Sequence, residues 1–388
     1  MLDLWVRQPI ALDPDVARSI ATDYLAPSGY DVLERSWIDR RRSPQEAALR
    51  SLGPSDLERL ERGNPTAPDP VFEDLRRYAP NPNQRRTIAI VDRGANADHP
   101  ALAPRIWRNP GEIPNNLIDD DRNGLVDDVH GPIVGFTDHG TMVAGTATRG
   151  TDQVEALLLD WSESVMDWAS QVDYAAAAGA TSLTISMLVQ GRDATKRWLD
   201  IMDAHPNILF VKSAGNYRND LRNERPDFAP DNFLPRNLRP NLIVVANALE
   251  NGQRAEDATI GAPFVTLAAQ GTGLMTLGAE GGFIPGDGSS NAAPNVANLA
   301  AKCSILAPHL TPSQLKALLV AASTPTPAWQ GAVVANGIVD HDQALRLAAL
   351  SNLMRQGKSL DEAAQMLDLR PAQAADLLAR LQRAEATT

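Results

Sequence analysis

A three-layer α/β fold with a mostly parallel central sheet is predicted for this chain by three observations. From Thr87 onward, short apolar runs alternate with longer helical patterns, as expected when crossover helices join parallel strands. That stretch closes in two strong helical patterns, residues 291–308 and 310–323. The composition of the 388 residues, 43% hydrophobic and 22% charged, is that of a globular protein able to build a sizeable core.

The alternation can be followed in order. The run TIAIVD (87–92) is the first strand, HGTMVAGTATRG (139–150) a helical pattern, and VEALLLD (154–160) the next strand. An Ala-rich helical segment then leads to SLTISML (182–188), and NILFVKSAGN (207–216) and NLIVVANA (241–248) continue the series. In the last helical pattern Thr311 is the expected N-cap and Pro312 the first helical residue.

Three regions follow: an N-terminal extension over 1–85, an α/β domain over 86–345 and a C-terminal helical segment over 346–388. The first is rich in Pro and charge, has helical-looking pieces at 43–52 and 55–63, and ends in a turn-rich linker, APNPNQRR. Its role is open between a regulatory cap, an oligomerisation arm and, by length alone under the family resemblance given below, a pro-region. The third reads as two short helices with Pro371 opening the second; its four basic residues against five acidic ones over 358–388 favour a protein-docking or core-packing hairpin over a DNA-binding one.

Charge and composition exclude several classes. The net charge of −12 argues against a general nucleic-acid binder, because phosphate attraction needs clustered Lys and Arg. No segment approaches the roughly 18 apolar residues of a membrane span. The start of the chain lacks a basic region followed by an apolar stretch, so a cytoplasmic location is expected. The lone Cys303, in an apolar helical stretch, is expected to be a buried thiol and not a nucleophile.

Four polar positions sit where chemistry is expected. Asp92 ends the first strand, at the carboxyl edge where open α/β sheets place their sites. His139 opens a helix rich in small residues and is the side chain suited to exchange protons near neutral pH. Ser290 opens a helix after a glycine-rich approach, where unpaired N–H groups stabilise developing negative charge; alone it is also an ordinary cap. Asn216 follows an apolar strand and offers amide N–H donors.

The order Asp92, His139, Ser290 and the words around them resemble the subtilisin-like serine peptidase family. The strand ending Asp92-Arg93-Gly94, the triplet His139-Gly140-Thr141, the string Gly288-Ser289-Ser290-Asn291-Ala292-Ala293-Pro294 and Ala214-Gly215-Asn216 carry the likeness, over about residues 86–325. It implies a subtilisin-like fold, a Ser-His-Asp triad, Asn216 as oxyanion donor and polypeptide substrates. It also implies a substrate groove edged by Ser186, Met187 and Leu188 and by Ser213, Ala214 and Gly215.

This chain departs from the family's pattern in places. Arg93, Met142 and Ser289 differ from the usual residues, and Leu188 stands where glycine is usual. Leucine there is expected to crowd the groove, giving a small-residue preference beside the scissile bond or a need for rearrangement. The crowding keeps a second reading open, a binding protein on this fold with catalysis lost; a third is a regulatory protein acting through its C-terminal hairpin.

The acidic stretch 119–128 alternates oxygen ligands before a glycine turn. Asp119, Asp121, Asn123, the Leu125 carbonyl and Asp127 match the first nine places of a calcium loop, with His130 at the twelfth. A structural calcium ion and a solvated acidic turn are both open. His99 resembles the family's His-Pro pair and is expected to be structural, and no His/Cys set supports zinc.

Overall fold

The computed structural model describes residues 65–189, 191–223 and 238–386. The chain divides into two units, 1–62 and 63–388, and every described residue belongs to the second. The helical pieces expected at 43–52 and 55–63 lie outside the described residues.

The body is built on an eight-stranded sheet. Its strands are β1 (Arg86–Asp92), β2 (Val154–Asp160), β3 (Ala180–Ile185), β4 (Leu209–Ser213), β5 (Leu242–Ala248), β6 (Leu267–Gln270), β9 (Ser323–Pro325) and β10 (Gly337–Val339). They lie in the order β2-β1-β3-β4-β5-β6-β10-β9, all parallel except the last pair. A separate hairpin joins β7 (Met275–Leu277) to β8 (Phe283–Pro285). The predicted mostly parallel sheet is thus observed.

Burial on both faces explains the apolar runs. In β1, Ile88 and Ile90 join one core cluster while Ala89 and Val91 join the other, so alternate side chains enter opposite layers. The first layer holds α2 (Asp138–Ala147), α5 (Ser289–Leu306), α6 (Pro312–Ala321) and α7 (His341–Arg355); the second holds α3 (Trp168–Ala177) and α4 (Gly191–Ala204). The helix α5 is buried at almost every position, its Asn291, Asn295, Asn298 and Lys302 included. Thr311 caps α6 in a capping box with Gln314, and Pro312 is its first residue.

Neither sequence boundary is a break in packing. Phe72 and Leu75 of α1 (Pro70–Leu75) belong to the same cluster as α5, and α7 runs through residue 345. The helices α8 (Leu360–Met366) and α9 (Pro371–Glu385) turn Ala364, Leu367, Ala374, Leu377 and Leu381 into that cluster. Of the two expectations for the C-terminal hairpin, core packing is what the contacts show; the composition shift marks more exposed surface, not separate folding. Among the described residues no helix is long and apolar enough to cross a membrane. Cys303 is buried, and burial raises its thiol pKa, away from nucleophilic character.

Candidate active site

Asp92, the last residue of β1, is 2% exposed. Its Oδ1 accepts the Arg93 N–H at 2.8 Å, and its Oδ2 lies 2.8 Å from His139 Nδ1. The carboxylate therefore meets the imidazole across an interval of 47 residues. A neutral imidazole that donates from Nδ1 presents Nε2 as a proton acceptor.

Small residues make this approach feasible. A methyl group at Gly140 would sit 1.8 Å from the Gly94 carbonyl oxygen and 3.2 Å from Asp92 Oδ1. Gly94 itself has a φ of 75°, in the left-handed region that favours glycine. Thr137 caps α2 by accepting the Gly140 N–H, and the Thr141 hydroxyl donates to the Thr137 carbonyl while accepting the Asn96 N–H. The glycine and threonine that follow His139 thus fix the start of α2 against the end of β1.

Ser290 lies in the first turn of α5, which Gly288 opens with a φ of 84°. Side chain and backbone of Ser186 and Ser290 exchange hydrogen bonds: Ser186 Oγ donates to the Ser290 carbonyl at 2.9 Å, and Ser290 Oγ donates to the Ser186 carbonyl at 3.3 Å. Pro294 explains half of this exchange. Four residues beyond Ser290, it has no N–H to give the Ser290 carbonyl, which leaves that oxygen open to the Ser186 hydroxyl.

Asn216 follows β4 and uses its side-chain oxygen to accept the Ser289 N–H at 2.9 Å. Gly215 N–H donates to Ser289 Oγ at 3.1 Å, so serine at 289 holds the loop through a hydroxyl. A methyl group at Gly288 would lie 2.7 Å from Asn216 Nδ2, a second reason for glycine there. Ser213 and Ala214 are buried just before this loop, and Met187 packs into the second core layer while Leu188 remains partly exposed.

A buried polar network ties the two helices together. Asn291 is fully buried; its amide accepts from Thr146 Oγ1 at 3.0 Å and donates to Met142 Sδ at 3.2 Å and the Asp287 carbonyl at 3.1 Å. The Thr276 hydroxyl extends the network to the Met142 carbonyl. Sequence reasoning quoted Asn291 only as part of the serine string and passed over Thr146. It also passed over Lys212, a charge within the apolar strand NILFVKSAGN.

The acidic stretch folds differently from the alternating ligand pattern. Glu112, Asp119 and Asp121 bring carboxylate oxygens within 4.8 Å of one another. Asp127 instead accepts the Asn116 and Leu117 N–H groups, and Asn123 donates its amide to Asp121 and Asp128. The Leu125 N–H donates to the Asn123 amide oxygen. Glu112, missed in the sequence because it lies seven residues before the stretch, is buried with Oε2 lacking a hydrogen-bond partner. His99 is buried, with Nδ1 accepting the Ala101 N–H and Nε2 facing the Gly282 carbonyl, which is a structural role.

Residues 83–344 match the family model Peptidase_S8, the Subtilase family. Subtilisin-like protease 1 of Plasmodium vivax is 25% identical over 305 residues, covering 67% of this chain and 47% of its own length. Thermitase of Thermoactinomyces vulgaris is 26% identical over 250 residues, 61% of this chain and 84% of its own. The chain spans about half the length of the Plasmodium relatives it matches.

Two solved structures share the fold. A lanthipeptide protease superposes with a TM-score of 0.54 at 20% identity, over 68% of this chain and 89% of its own. The prenylagaramide maturation protease PagA gives 0.52 at 18% identity, over 71% and 98%. With the family pattern extending over more than half of its residues, the chain belongs to the subtilase family.

Proposed function

We propose that this chain is a serine endopeptidase acting on polypeptides, with Ser290 as nucleophile, His139 as general base and Asp92 as the group that orients the imidazole. The observation that carries this reading is the 2.8 Å contact between His139 Nδ1 and Asp92 Oδ2, at the sheet edge from which Asn216 reaches the start of α5. Family membership supports it.

In this scheme His139 Nε2 takes the Ser290 proton as the hydroxyl oxygen attacks the substrate carbonyl. Attack requires the hydroxyl to exchange its 3.3 Å bond to the Ser186 carbonyl for one to the imidazole. The oxyanion is received by the Asn216 NH₂ group and the Ser290 N–H, at the amino end of α5. The imidazolium then protonates the leaving amine, and water deprotonated by His139 releases the acyl group from Ser290. Ser186–Leu188 and Ser213–Gly215 flank the groove, and Leu188 narrows it.

Glu112, Asp119 and Asp121 fit a structural calcium ion in this proposal. Their oxygens are hard ligands, and the unpartnered, buried Glu112 Oε2 is the kind of atom a cation satisfies. An ion there would hold the 112–128 loops together.

A fluorophosphonate probe tests the reading. Covalent labelling of the wild-type chain that is lost in Ser290→Ala is the expected result. No labelling in the presence of calcium, with or without limited proteolysis, would favour a binding protein on the same fold.

A further inference from the structure

A cavity of about 480 Å³, within the range of small-molecule sites, lies beside α5. Its wall includes Arg149, just past the end of α2; Glu250, in the turn after β5; Gln270, the last residue of β6; Leu274; Asn295 of α5; and His341, the first residue of α7. None of Asp92, His139, Asn216, Ser290 and the groove segments lines it. The cavity is therefore separate from the candidate active site.

Polar side chains in this wall have unused capacity. Asn295 is 3% exposed; its Nδ2 donates to the Gln270 carbonyl at 3.1 Å, while its buried Oδ1 has no hydrogen-bond partner. Among the described residues the Arg149 guanidinium forms no hydrogen bond or ion pair, and the His341 imidazole forms no hydrogen bond. Asp69, the carboxylate whose charge acts on Arg149, is already held by Lys302 at 2.9 Å and by the Val71 and Phe72 N–H groups. A water molecule can satisfy an amide oxygen; it does not supply the counter-charge that a desolvated guanidinium lacks.

Charges of both signs line the cavity, at different places along α5. The Arg149 carbonyl accepts from Asn298 Nδ2 at 3.1 Å, further along the helix than Asn295. Glu250 lies toward the other end: a methyl group at Gly273 would sit 3.8 Å from Glu250 Cβ, and the Gly273 N–H donates to the Gly286 carbonyl just before the glycine that opens α5. His341 adds no charge at neutral pH, because burial, with Lys302 and Arg149 nearby, pushes it down to about 4. A simple anion would meet Glu250 and a simple cation would meet Arg149. A zwitterion meets each with the opposite charge.

We propose that this cavity binds a short peptide with both termini free. The guanidinium fork of Arg149 takes the terminal carboxylate, Glu250 faces the terminal ammonium, and Asn295 Oδ1 accepts an N–H of the peptide. Leu274 gives the methylene and methyl groups between the termini an apolar wall. The binding site does not depend on the peptidase reading above.

The test is calorimetric titration of the full chain carrying Ser290→Ala, which prevents turnover, with Ala-Ala, acetyl-Ala-Ala and Ala-Ala-amide. Expected is a Kd for Ala-Ala at least about 10-fold below that of either blocked peptide, the scale of one charge-assisted hydrogen bond. Adding Arg149→Met weakens Ala-Ala binding by at least about 10-fold and removes its advantage over Ala-Ala-amide. Should that variant fail to fold, Glu250→Gln reads the other end, removing the advantage of Ala-Ala over acetyl-Ala-Ala. Equal affinities for the three peptides, or an Ala-Ala affinity unchanged by the substitution, overturn the proposal. A wild-type chain that the fluorophosphonate labels while its Ser290→Ala form binds no Ala-Ala overturns the proposal alone; one that shows the expected binding pattern but no labelling overturns the peptidase reading alone.

Discussion

Asn216 accepts the Ser289 N–H through its side-chain oxygen at 2.9 Å, and this contact decides which end of its amide is left to donate. The NH₂ group is that end. Replacing Asn216 with Ala is expected to lower kcat about 10²- to 10³-fold with KM little changed, because the lost donor acts on charge that develops only in the transition state. Steady-state kinetics on a chromogenic peptide would measure it; a change confined to KM would contradict the oxyanion role.

Gly140 is where helix and strand come closest. A methyl there would meet the Gly94 carbonyl oxygen at 1.8 Å, so Gly140→Ala must move α2 away from β1 and open the His139–Asp92 contact. Displacement by about 1 Å is expected to slow fluorophosphonate labelling about 10²-fold. Labelling at the wild-type rate would show that the approach is less tight than the geometry implies.

Lys302 and Asp69 form a largely buried ion pair at 2.9 Å, with Asp69 also capping α1 through the Val71 and Phe72 N–H groups. Asp69→Ala leaves the ammonium unpaired and is expected to cost about 3–5 kcal/mol in urea unfolding, and adding Lys302→Met should recover most of it. Burial by itself would raise the Asp69 pKa, but the charge and hydrogen bond of Lys302 together with the Phe72 N–H hold it below its ordinary 3.8. A lowered folded-state pKa gives stability that is complete above the unfolded value and lost as pH falls through the folded one. The stability gap between wild type and Asp69→Asn should therefore shrink below pH 3.8, as followed by urea melts across an acid series.

Calcium added to chelator-treated protein is expected to raise Tm, with a stabilisation of about 2.7 kcal/mol at 100 times Kd. Glu112→Gln should abolish most of the rise, since it removes the charge of the most buried carboxylate of the cluster. Calorimetry with and without calcium would measure both. A Tm unchanged by chelator in the wild type would remove calcium from the proposal.

Much of this architecture is legible in the sequence because its causes are local. An apolar run such as 87–92 must be buried on both faces, and β1 divides its side chains between two core layers. Thr311 and Pro312 start α6 through contacts within one turn. The words around Asp92, His139, Asn216 and Ser290 are also local: glycines where backbones meet, and a proline that frees one carbonyl.

Tertiary structure decided what those words touch. Ser186 reaches Ser290 across 104 residues, Asn291 binds Met142 across 149, and the oxygens of Glu112 converge with those of Asp119 and Asp121 while Asp127 turns to backbone N–H groups. The C-terminal hairpin could have docked elsewhere, yet its leucines pack onto the chain's own core. Sheet register sets the buried Lys212 beside Ile185. Composition and periodicity specify which faces must be covered; strand order, register and helix contacts specify by whom, because they depend on how all the apolar faces close together.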